Sequence, residues 1–320
     1  MRGQACKNNQ NLHEISSIGT SDRYNFFCQV RKYIRFYNLN QIYYNIMQKR
    51  GEHMKPKIQT VILFFLTAVF AVSAFMLVRQ MTSYRAGDEA YAEASEIAAI
   101  PEVPETETVQ QPTEQPQQET QTEPEPAPSA DPYAQALEQM DLPALQQVNS
   151  DVIGWIAIPG TEISYPLVQG TDNDYYLTHT WNQNSSAVGA IFMDCRCSAD
   201  FSGFNTIVYG HRMNNGSMFA ALKHYKKQDF LQAHPQVYVT NASGTHAYSI
   251  YAAYEAALDG TAYYSAFSDE TIKKAFIDEG VSLSVIRTGA VPTVNDHILT
   301  LSTCTGNGHA TRWVVQAVME

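Results

Sequence analysis

The chain has 320 residues, 17% of them charged, and a formal net charge of −11. The charge is uneven: residues 1–85 carry 12 Lys and Arg against 3 acids, residues 86–130 carry 11 acids and no base, and residues 131–320 carry 9 bases against 18 acids. The last stretch has no basic stripe, which argues against a nucleic acid partner. Five cysteines form no Cys-x-x-Cys pair and no His lies at zinc-finger spacing, so we expect no metal site.

Residues 1–53 are the first of three dissimilar stretches that precede any globular pattern. They are rich in Asn, Tyr, Ile, Phe and Lys and show no convincing periodicity. Back-translation of residues 49–54 permits a purine-rich, ribosome-site-like stretch just before a start codon. We therefore expect residues 1–53 to be a mis-assigned start or an unstructured segment, with the natural start at Met54. A small cytoplasmic basic segment is the alternative.

An apolar run of 21 residues without a charge, 58–78, follows the short segment 54–57. At about 1.5 Å per residue, a helix of this length crosses about 30 Å of hydrocarbon, so we predict a transmembrane anchor. Basic residues precede the run and an acidic stretch follows, which places the N-terminus and residues 54–57 in the cytoplasm and the bulk of the chain outside the cell. A cleaved signal peptide is the alternative, although residues 76–79 offer no small-residue cleavage site.

Residues 79–130 form a juxtamembrane segment followed by a linker. Ala and Glu over 84–99 favour a helix that continues beyond the apolar run. Residues 101–130 hold seven Pro and seven Glu, a composition too polar to bury a core. We predict a disordered, extended spacer that gives reach through the cell wall. A proline-motif ligand is the alternative, although no basic residue accompanies the prolines.

Residues 131–320 have a globular pattern in which short strands dominate. Apolar residues at helical spacing over 134–148, interrupted by Pro143, indicate two short helices. Many short strands with few helices favour a mostly β, closed barrel over alternating β/α units. Helices are predicted at 217–224, 226–233 and 269–280, and strands at 152–158, 163–168, 190–194, 205–209, 236–240, 247–255, 281–287, 297–302 and 312–318.

Cys304 is the cysteine best placed for chemistry. It ends a strand in which Thr and Ser alternate with apolar residues, and it precedes a Gly-rich loop over 305–309, so substrate could approach it. A catalytic cysteine also needs a base or acid and a group that holds an oxyanion. From spacing alone, a buried core thiol remains the alternative. Cys195 and Cys197 are expected to be small, half-buried residues.

Several ordered motifs resemble those of class B sortases. TLSTC at 300–304, followed eight residues later by Arg312, resembles the sortase signature Thr-Leu-x-Thr-Cys, and serine at the x position, Ser302, looks like class B. NTIVYGHRM at 205–213 looks like the histidine strand, while DVIGWI at 151–156 and YPLVQG at 165–170 resemble the class B N-terminal region. The resemblance covers 131–320. It implies a closed sortase-type β-barrel of about eight strands with N-terminal helices and short peripheral helices.

The resemblance also implies three catalytic residues. From sequence position alone, His211 is one candidate base among nine histidines, because it follows an apolar stretch and a glycine. The resemblance assigns the role of base or acid to His211. Arg312 could be a surface ion-pair partner, but the resemblance assigns it to the substrate carbonyl and the oxyanion, a role that suits a guanidinium with several fixed donors. Arg212, next to His211, is expected to point elsewhere if the segment is extended.

Further residues are candidate substrate contacts. Ser302 lies two residues before Cys304 and therefore shares its face of the strand. Similarity to class B enzymes places Asn173 and Leu177 along the groove for the sorting signal, with a helix cap and a core leucine as the alternatives. The candidate substrate-binding residues are Ser302, Thr303, Asn173, Leu177, Tyr263 and Tyr264.

The activity implied by the resemblance is two-step acyl transfer by an anchored, extracellular enzyme of a Gram-positive bacterium, with no metal or organic cofactor. The implied partners are secreted proteins with a C-terminal sorting signal and an amine of peptidoglycan or its lipid-linked precursor. A pilin-polymerising sortase, a hydrolytic cysteine protease and a catalytically silent binding module on a stalk are the competing hypotheses.

Overall fold

The structure is a computed structural model that describes residues 56–101, 131–306 and 310–320. The predictions for residues 1–53, the start at Met54 and nearly all of the linker therefore lie outside the described residues. Within the described part, the secondary structure is mostly β with several short helices.

The first element, α1, is one helix of 43 residues, Pro56–Ala98. It joins the apolar run and the predicted juxtamembrane extension without a break. Among the described residues it is the one helix long and apolar enough to cross a membrane, and none of its most apolar window is buried against the protein. Its C-terminal part differs, because Ala90, Ala94 and Ala98 are buried against the rest of the chain.

Two short helices, α2 (Pro132–Glu138) and α3 (Leu142–Val148), precede the barrel, as predicted. Asp131 and Asp141 accept backbone N–H bonds at the two N-termini. Pro143 lies in the first turn of α3, where its missing N–H costs nothing, so it begins the second helix. The N–H of Asp141 donates to the carbonyl of Ala98, which joins α3 directly to the end of α1.

The end of α1, just before the predicted spacer, packs on the same domain that follows the spacer. Ala98 lies just before residues 102–130 and contacts α3 just after them, so the chain leaves and re-enters the same domain. The predicted extended spacer itself lies outside the described residues and stays a prediction, while the described residues on both sides of it contact one domain. Composition indicated a stretch that forms no core, but it could not show that the preceding helix packs on the domain.

Eight strands form the barrel, which closes in the order β1-β2-β3-β4-β7-β8-β6-β5. This confirms the predicted closed barrel. Two helices, α4 (Gln228–Ala233) and α5 (Glu270–Leu283), lie outside it, with 3-10 helices at Tyr175–Leu177, Phe219–Lys226 and Thr261–Tyr263. The strands are β1 Val152–Ala157, β2 Ser164–Val168, β3 Ile191–Met193, β4 Asn205–Tyr209, β5 Gln236–Asn241, β6 Gly244–Ala257, β7 Ile298–Cys304 and β8 Thr311–Met319.

One predicted strand, 281–287, is wrong. Asp269 caps α5, and the helix runs on to Leu283, so the first residues of the predicted strand form its last turn. Val285 then makes a single backbone bond with Ala253 of β6. The Val and Ile residues gave a strand signal, but burial of Phe276 against the barrel favours the helix here.

Three apolar clusters pack around the barrel wall. The first fills the interior, with Leu299 and Leu301 of β7 facing Val315 of β8. The second joins α1, α2 and α3 to the barrel through side chains such as Trp155 and Trp181. The third lies between α5 and the outer face of the wall. Because side chains alternate along a strand, the residues between the leucines of β7 point to this outer face.

Candidate active site

The three predicted catalytic residues meet at one end of the barrel. Strands β4 and β7 are parallel, with Tyr209 opposite Ser302, so His211 and Cys304 each follow two residues beyond this pair. Strand β8 runs back beside β7 with Arg312 directly opposite Cys304. Directly opposite side chains share one face of a sheet. The strand register thus places the thiol and the guanidinium on the same outer surface, and the hydrogen bond between Cys304 and His211 brings the imidazole to it.

His211 is held against a loop by its far ring nitrogen. Its Nε2 lies 2.8 Å from the carbonyl oxygen of Leu177. Because a carbonyl only accepts, Nε2 carries the proton, which leaves Nδ1 for the thiol. Gly189, at φ +65°, borders the same edge of the ring: a Cβ there would be 2.9 Å from Cδ2 of His211 and 2.8 Å from the carbonyl oxygen of Leu177. Only glycine fits both the backbone conformation and the space.

The thiol of Cys304 is half-buried, and burial alone would raise its pKa. The hydrogen bond with His211 and the charges of Arg312, His211 and Arg212 outweigh burial, so the pKa of Cys304 lies below its usual range. A lowered pKa increases the fraction of thiolate, the reactive form of a cysteine. The arrangement can therefore supply a nucleophile, a proton carrier and fixed donors within one site.

Arg212 belongs to this site, contrary to the expectation that it points elsewhere. Its guanidinium donates to the carbonyl of Thr305, the residue after the nucleophile. Gly306, at φ +83°, gives it room, since a Cβ there would lie 2.7 Å from both terminal nitrogens. Residue 212 lies beyond the end of β4 in an isolated bridge with Met218, so the strand alternation assumed from sequence no longer applies. The glycine two residues after Cys304 was the available signal.

Ser302 and Tyr263 form a buried pair beside Cys304. Their hydroxyl oxygens are 2.9 Å apart. Burial raises the pKa of Tyr263 to about 12, although the bond with Ser302 and the charge of Arg312 oppose the rise. Tyr263 therefore keeps its proton at neutral pH. The predicted residues Ser302 and Tyr263 thus lie next to the thiol.

The segment that carries Tyr263 is held by its backbone carbonyls. Asn205, buried on β4, donates from Nδ2 to the carbonyls of Ala262 (3.2 Å) and Tyr264 (2.8 Å). Arg196 donates to the carbonyl of Tyr263 at 3.3 Å. Three consecutive carbonyls are thus bound by side-chain N–H groups. Neither Asn205 nor Arg196 was predicted from sequence, because the contacts join positions about 60 residues apart.

An ion pair between buried Asp194 and exposed Arg196 supports these contacts to the carbonyls of residues 262–264, which we call the carbonyl clamp. Asp194 is fully buried and accepts two bonds from Arg196, one of them 2.7 Å long. It also accepts a 2.8 Å bond from the hydroxyl of Tyr209, whose ring stacks on that of Tyr263. Burial raises the pKa of Asp194, but the bonds from Arg196 and Tyr209 outweigh it and hold the pKa below its usual value. Asp194 therefore remains a carboxylate.

The other predicted contacts are placed as follows. Asn173 accepts a 2.9 Å bond from the N–H of Cys195. Leu177 contributes its carbonyl to His211, while its side chain packs at the edge of the second apolar cluster. Tyr264 is exposed. Thr303 is buried on the opposite side of β7 from the thiol, where its hydroxyl donates to the carbonyl of Gly210 at 2.7 Å.

Cys197 contrasts with Cys304. It is half-buried, as predicted, and its sulfur accepts the N–H of Ile207 at 3.4 Å. Burial raises the pKa of Cys197 to about 11. This thiol therefore stays protonated and unreactive at neutral pH. Within the described residues, no group of three or more metal-binding side chains lies close together.

Comparison with known proteins agrees with this geometry. Residues 156–320 match the family model of the Sortase domain. The chain is 38% identical over 164 residues to Sortase B of Listeria monocytogenes, covering 51% of this chain and 67% of the relative. It is 34% identical over 161 residues to Sortase B of Staphylococcus aureus, covering 50% of this chain and 66% of the relative.

Solved structures give the same result. A Staphylococcus aureus sortase B–substrate complex superposes with a TM-score of 0.54 at 32% identity, covering 56% of this chain and 84% of that one. A Bacillus anthracis protein described as similar to sortase B superposes with a TM-score of 0.56 at 30% identity, covering 74% of this chain and 96% of that one. The chain therefore belongs to the sortase family, as a class B sortase with the closed sortase barrel, and is a cysteine transpeptidase.

Proposed function

We propose that this sortase cleaves a C-terminal sorting signal of secreted proteins and joins the acyl group to an amine of peptidoglycan or its lipid-linked precursor. The observation that carries the proposal is the juxtaposition of Cys304 with Arg312 across β7 and β8, together with the hydrogen bond between His211 and Cys304. The likeness to a sortase B–substrate complex supports a sorting signal as the substrate.

Each side chain has a role in the proposed reaction. The thiolate of Cys304 attacks the carbonyl carbon of a Thr–Gly-type bond, and the carbonyl electron pair moves to oxygen. Arg312 and backbone N–H groups stabilise this oxyanion. The C–N bond then breaks, His211 donates to the leaving amine the proton that it took from the Cys304 thiol, and a thioester remains. His211 next accepts a proton from the incoming amine, which attacks the thioester and releases Cys304.

The long apolar helix supports a membrane location for this reaction. We place residues 58–78 of α1 across the bilayer with the N-terminus in the cytoplasm, because the Lys and Arg residues concentrate before the run. The catalytic domain then lies outside the cell. Both substrates of the proposed reaction, a secreted protein and a wall precursor, are delivered at that surface.

Acyl-enzyme trapping tests the proposed function. The full chain is incubated with a panel of sorting-signal peptides, and intact mass and peptide mapping then locate the adduct. We expect one peptide to leave its acyl fragment on Cys304, none to label the Cys304→Ala variant, and product release to speed up when an amine is added. Acyl release at one rate with or without the amine would indicate a hydrolase, and the absence of any Cys304 adduct would contradict the proposal.

A second variant tests the assigned oxyanion donor. Arg312→Gln is expected to slow acylation by on the order of a hundredfold, because one donor is lost where negative charge develops. The comparison is made as kcat/KM with the peptide that labels Cys304. A variant with wild-type kcat/KM would remove Arg312 from the mechanism.

A further inference from the structure

The C-terminal part of α1 packs on the loop that holds His211. This loop runs from Leu177, the end of a 3-10 helix, to Ala190, just before β3. One face of the helix, with residues four apart, meets consecutive residues of that loop. Ser83 accepts the N–H of Ala187 at 3.1 Å, and Gly87 approaches Val188 so closely that a Cβ would lie 2.7 Å from its Cγ2. Positions four apart share one face of a helix. The two elements are therefore fitted residue by residue.

The next residue on this face reaches the wall of the active site. The hydroxyl of Tyr91 donates to the carbonyl of Gly189 at 2.6 Å. Gly189 is the residue whose Cα lies against the imidazole of His211. Nearby, the indole N–H of Trp181 donates to the carbonyl of Ala90 at 2.6 Å, which fixes the other end of the loop to the same helical turn.

The loop supplies both contacts that orient His211. Leu177 accepts the Nε2 proton, Gly189 borders the adjacent Cδ2 of the ring, and the N–H of Ala190 donates to the carbonyl of Tyr176 at 2.8 Å. A shift of Gly189 would therefore move the imidazole relative to Cys304. We propose that Tyr91 is a positioning residue of the active site, acting through Gly189 to hold His211 against Cys304, so that the helix leaving the apolar run is part of the catalytic apparatus.

The hydroxyl of Tyr91 is suited to this role. Burial raises the pKa of Tyr91 above its ordinary value, so the hydroxyl keeps its proton and donates throughout the pH range in which Cys304 ionises. The ring also packs edge-on against Tyr165 at 5.1 Å, which keeps the side chain in place when the hydroxyl is removed. Tyr91→Phe therefore tests the hydrogen bond alone.

The experiment follows alkylation of Cys304 against pH in the full chain, solubilised in detergent, with iodoacetamide as the probe and mass spectrometry as the readout. We expect Tyr91→Phe to shift the ionisation midpoint of Cys304 upward, because a less constrained His211 stabilises the thiolate less. With a peptide that labels Cys304, kcat should fall by about fivefold, the effect of one lost hydrogen bond, with little change in KM.

Glu93→Ala is the matched control. Glu93 lies half a turn from Tyr91 and accepts a 2.9 Å bond from Asn182 at the exposed rim of the same contact, away from His211. We expect this variant to keep the wild-type midpoint and kcat. An unshifted midpoint in Tyr91→Phe, or equal shifts in both variants, would overturn the proposal. The kcat readout rests on the proposed function, whereas the alkylation readout needs no sorting peptide, so failure of one is distinguishable from failure of the other.

Discussion

The thiol of Cys304 experiences opposing influences. Burial disfavours its ionised form, while His211, Arg312 and Arg212 favour it and prevail. Two of these groups come from beyond the end of β4 and one from β8, so the reactivity of the cysteine depends on the strand register. Cys197 has a polar contact but no such group of cations, so burial raises its pKa.

Alkylation of the two thiols tests this difference. We expect Cys304 to react with iodoacetamide with a midpoint below that of an ordinary cysteine, about 8.5, and Cys197 to stay unmodified at that pH. Replacing His211 with Ala or Arg312 with Gln should raise the midpoint of Cys304, since each change removes a group that stabilises the thiolate and leaves burial unopposed. Peptide mapping over a pH series measures both sites. A midpoint unchanged in both variants would contradict the assignment.

The resemblance of ordered motifs to those of sortases predicted His211, Cys304 and Arg312 as the catalytic residues, and the structure brings the three together. The sequence misplaced Arg212, because strand alternation was extended beyond the last residue of β4. It missed Asn205 and Arg196, whose roles depend on carbonyls distant in sequence. Polar side chains that bind backbone carry no local pattern, so only the packed structure reveals them.

At the scale of elements, the segment around the 3-10 helix Thr261–Tyr263 depends on the carbonyl clamp. Asn205 binds two of its carbonyls through Nδ2, and its Oδ1 accepts a 2.7 Å bond from Thr300. Asn205→Asp would keep the acceptor but remove the donor, and would place a carboxylate oxygen against two carbonyl oxygens. The N–H donors of the Asn205 amide are therefore needed to hold the two carbonyls, because a carboxylate of the same shape cannot donate to them.

We expect Asn205→Asp to lower the free energy of unfolding by about 1–3 kcal/mol, the cost of leaving buried polar groups unpaired. It should also raise KM for the sorting peptide, because Tyr263 loses its position beside Ser302. Thr261→Ala, which removes an exposed bond to Glu279 on the same 3-10 helix, is the control and should leave KM unchanged. Chemical denaturation and peptide kinetics measure both. A destabilised Asn205→Asp with wild-type KM would separate the clamp from substrate binding.

The spacing of apolar residues predicted most of the helices and strands. The barrel strands followed from alternation, and the two helices over 132–148 followed from helical spacing. The error at 281–287 arose where β-branched residues occupy the last turn of α5. Intrinsic strand preference is weak, and a helix whose apolar face packs on the barrel overrides it.

At the scale of the whole molecule, the described residues on either side of the predicted linker belong to one domain. Both its flanks contact that domain, since Ala98 is buried and its carbonyl bonds to Asp141. Replacing residues 102–130 with a Gly/Ser linker of about ten residues should therefore keep both thermal stability and activity in lipid vesicles. Loss of activity towards a membrane-borne substrate, with stability retained, would show that this stretch serves the reaction directly.

The same contacts fix the site relative to the proposed bilayer. Tyr91 lies 13 residues beyond Val78, the end of the apolar run, which is about 20 Å along a helix. His211 is joined to Tyr91 through a single residue. Together with the proposed membrane placement, this distance favours acceptor amines near the membrane surface.

The unbroken course of α1 has a mechanical consequence. In the proposed membrane placement, a helix with no loop between its apolar and docked halves would transmit torque, so the catalytic domain would turn only together with the helix. The active-site cleft would then keep one orientation about the helix axis, relative to the sides of α1 that contact lipid in this placement. Two copies that met through those sides would present their clefts at one reproducible angle, which would make lateral association a means of aiming the enzyme.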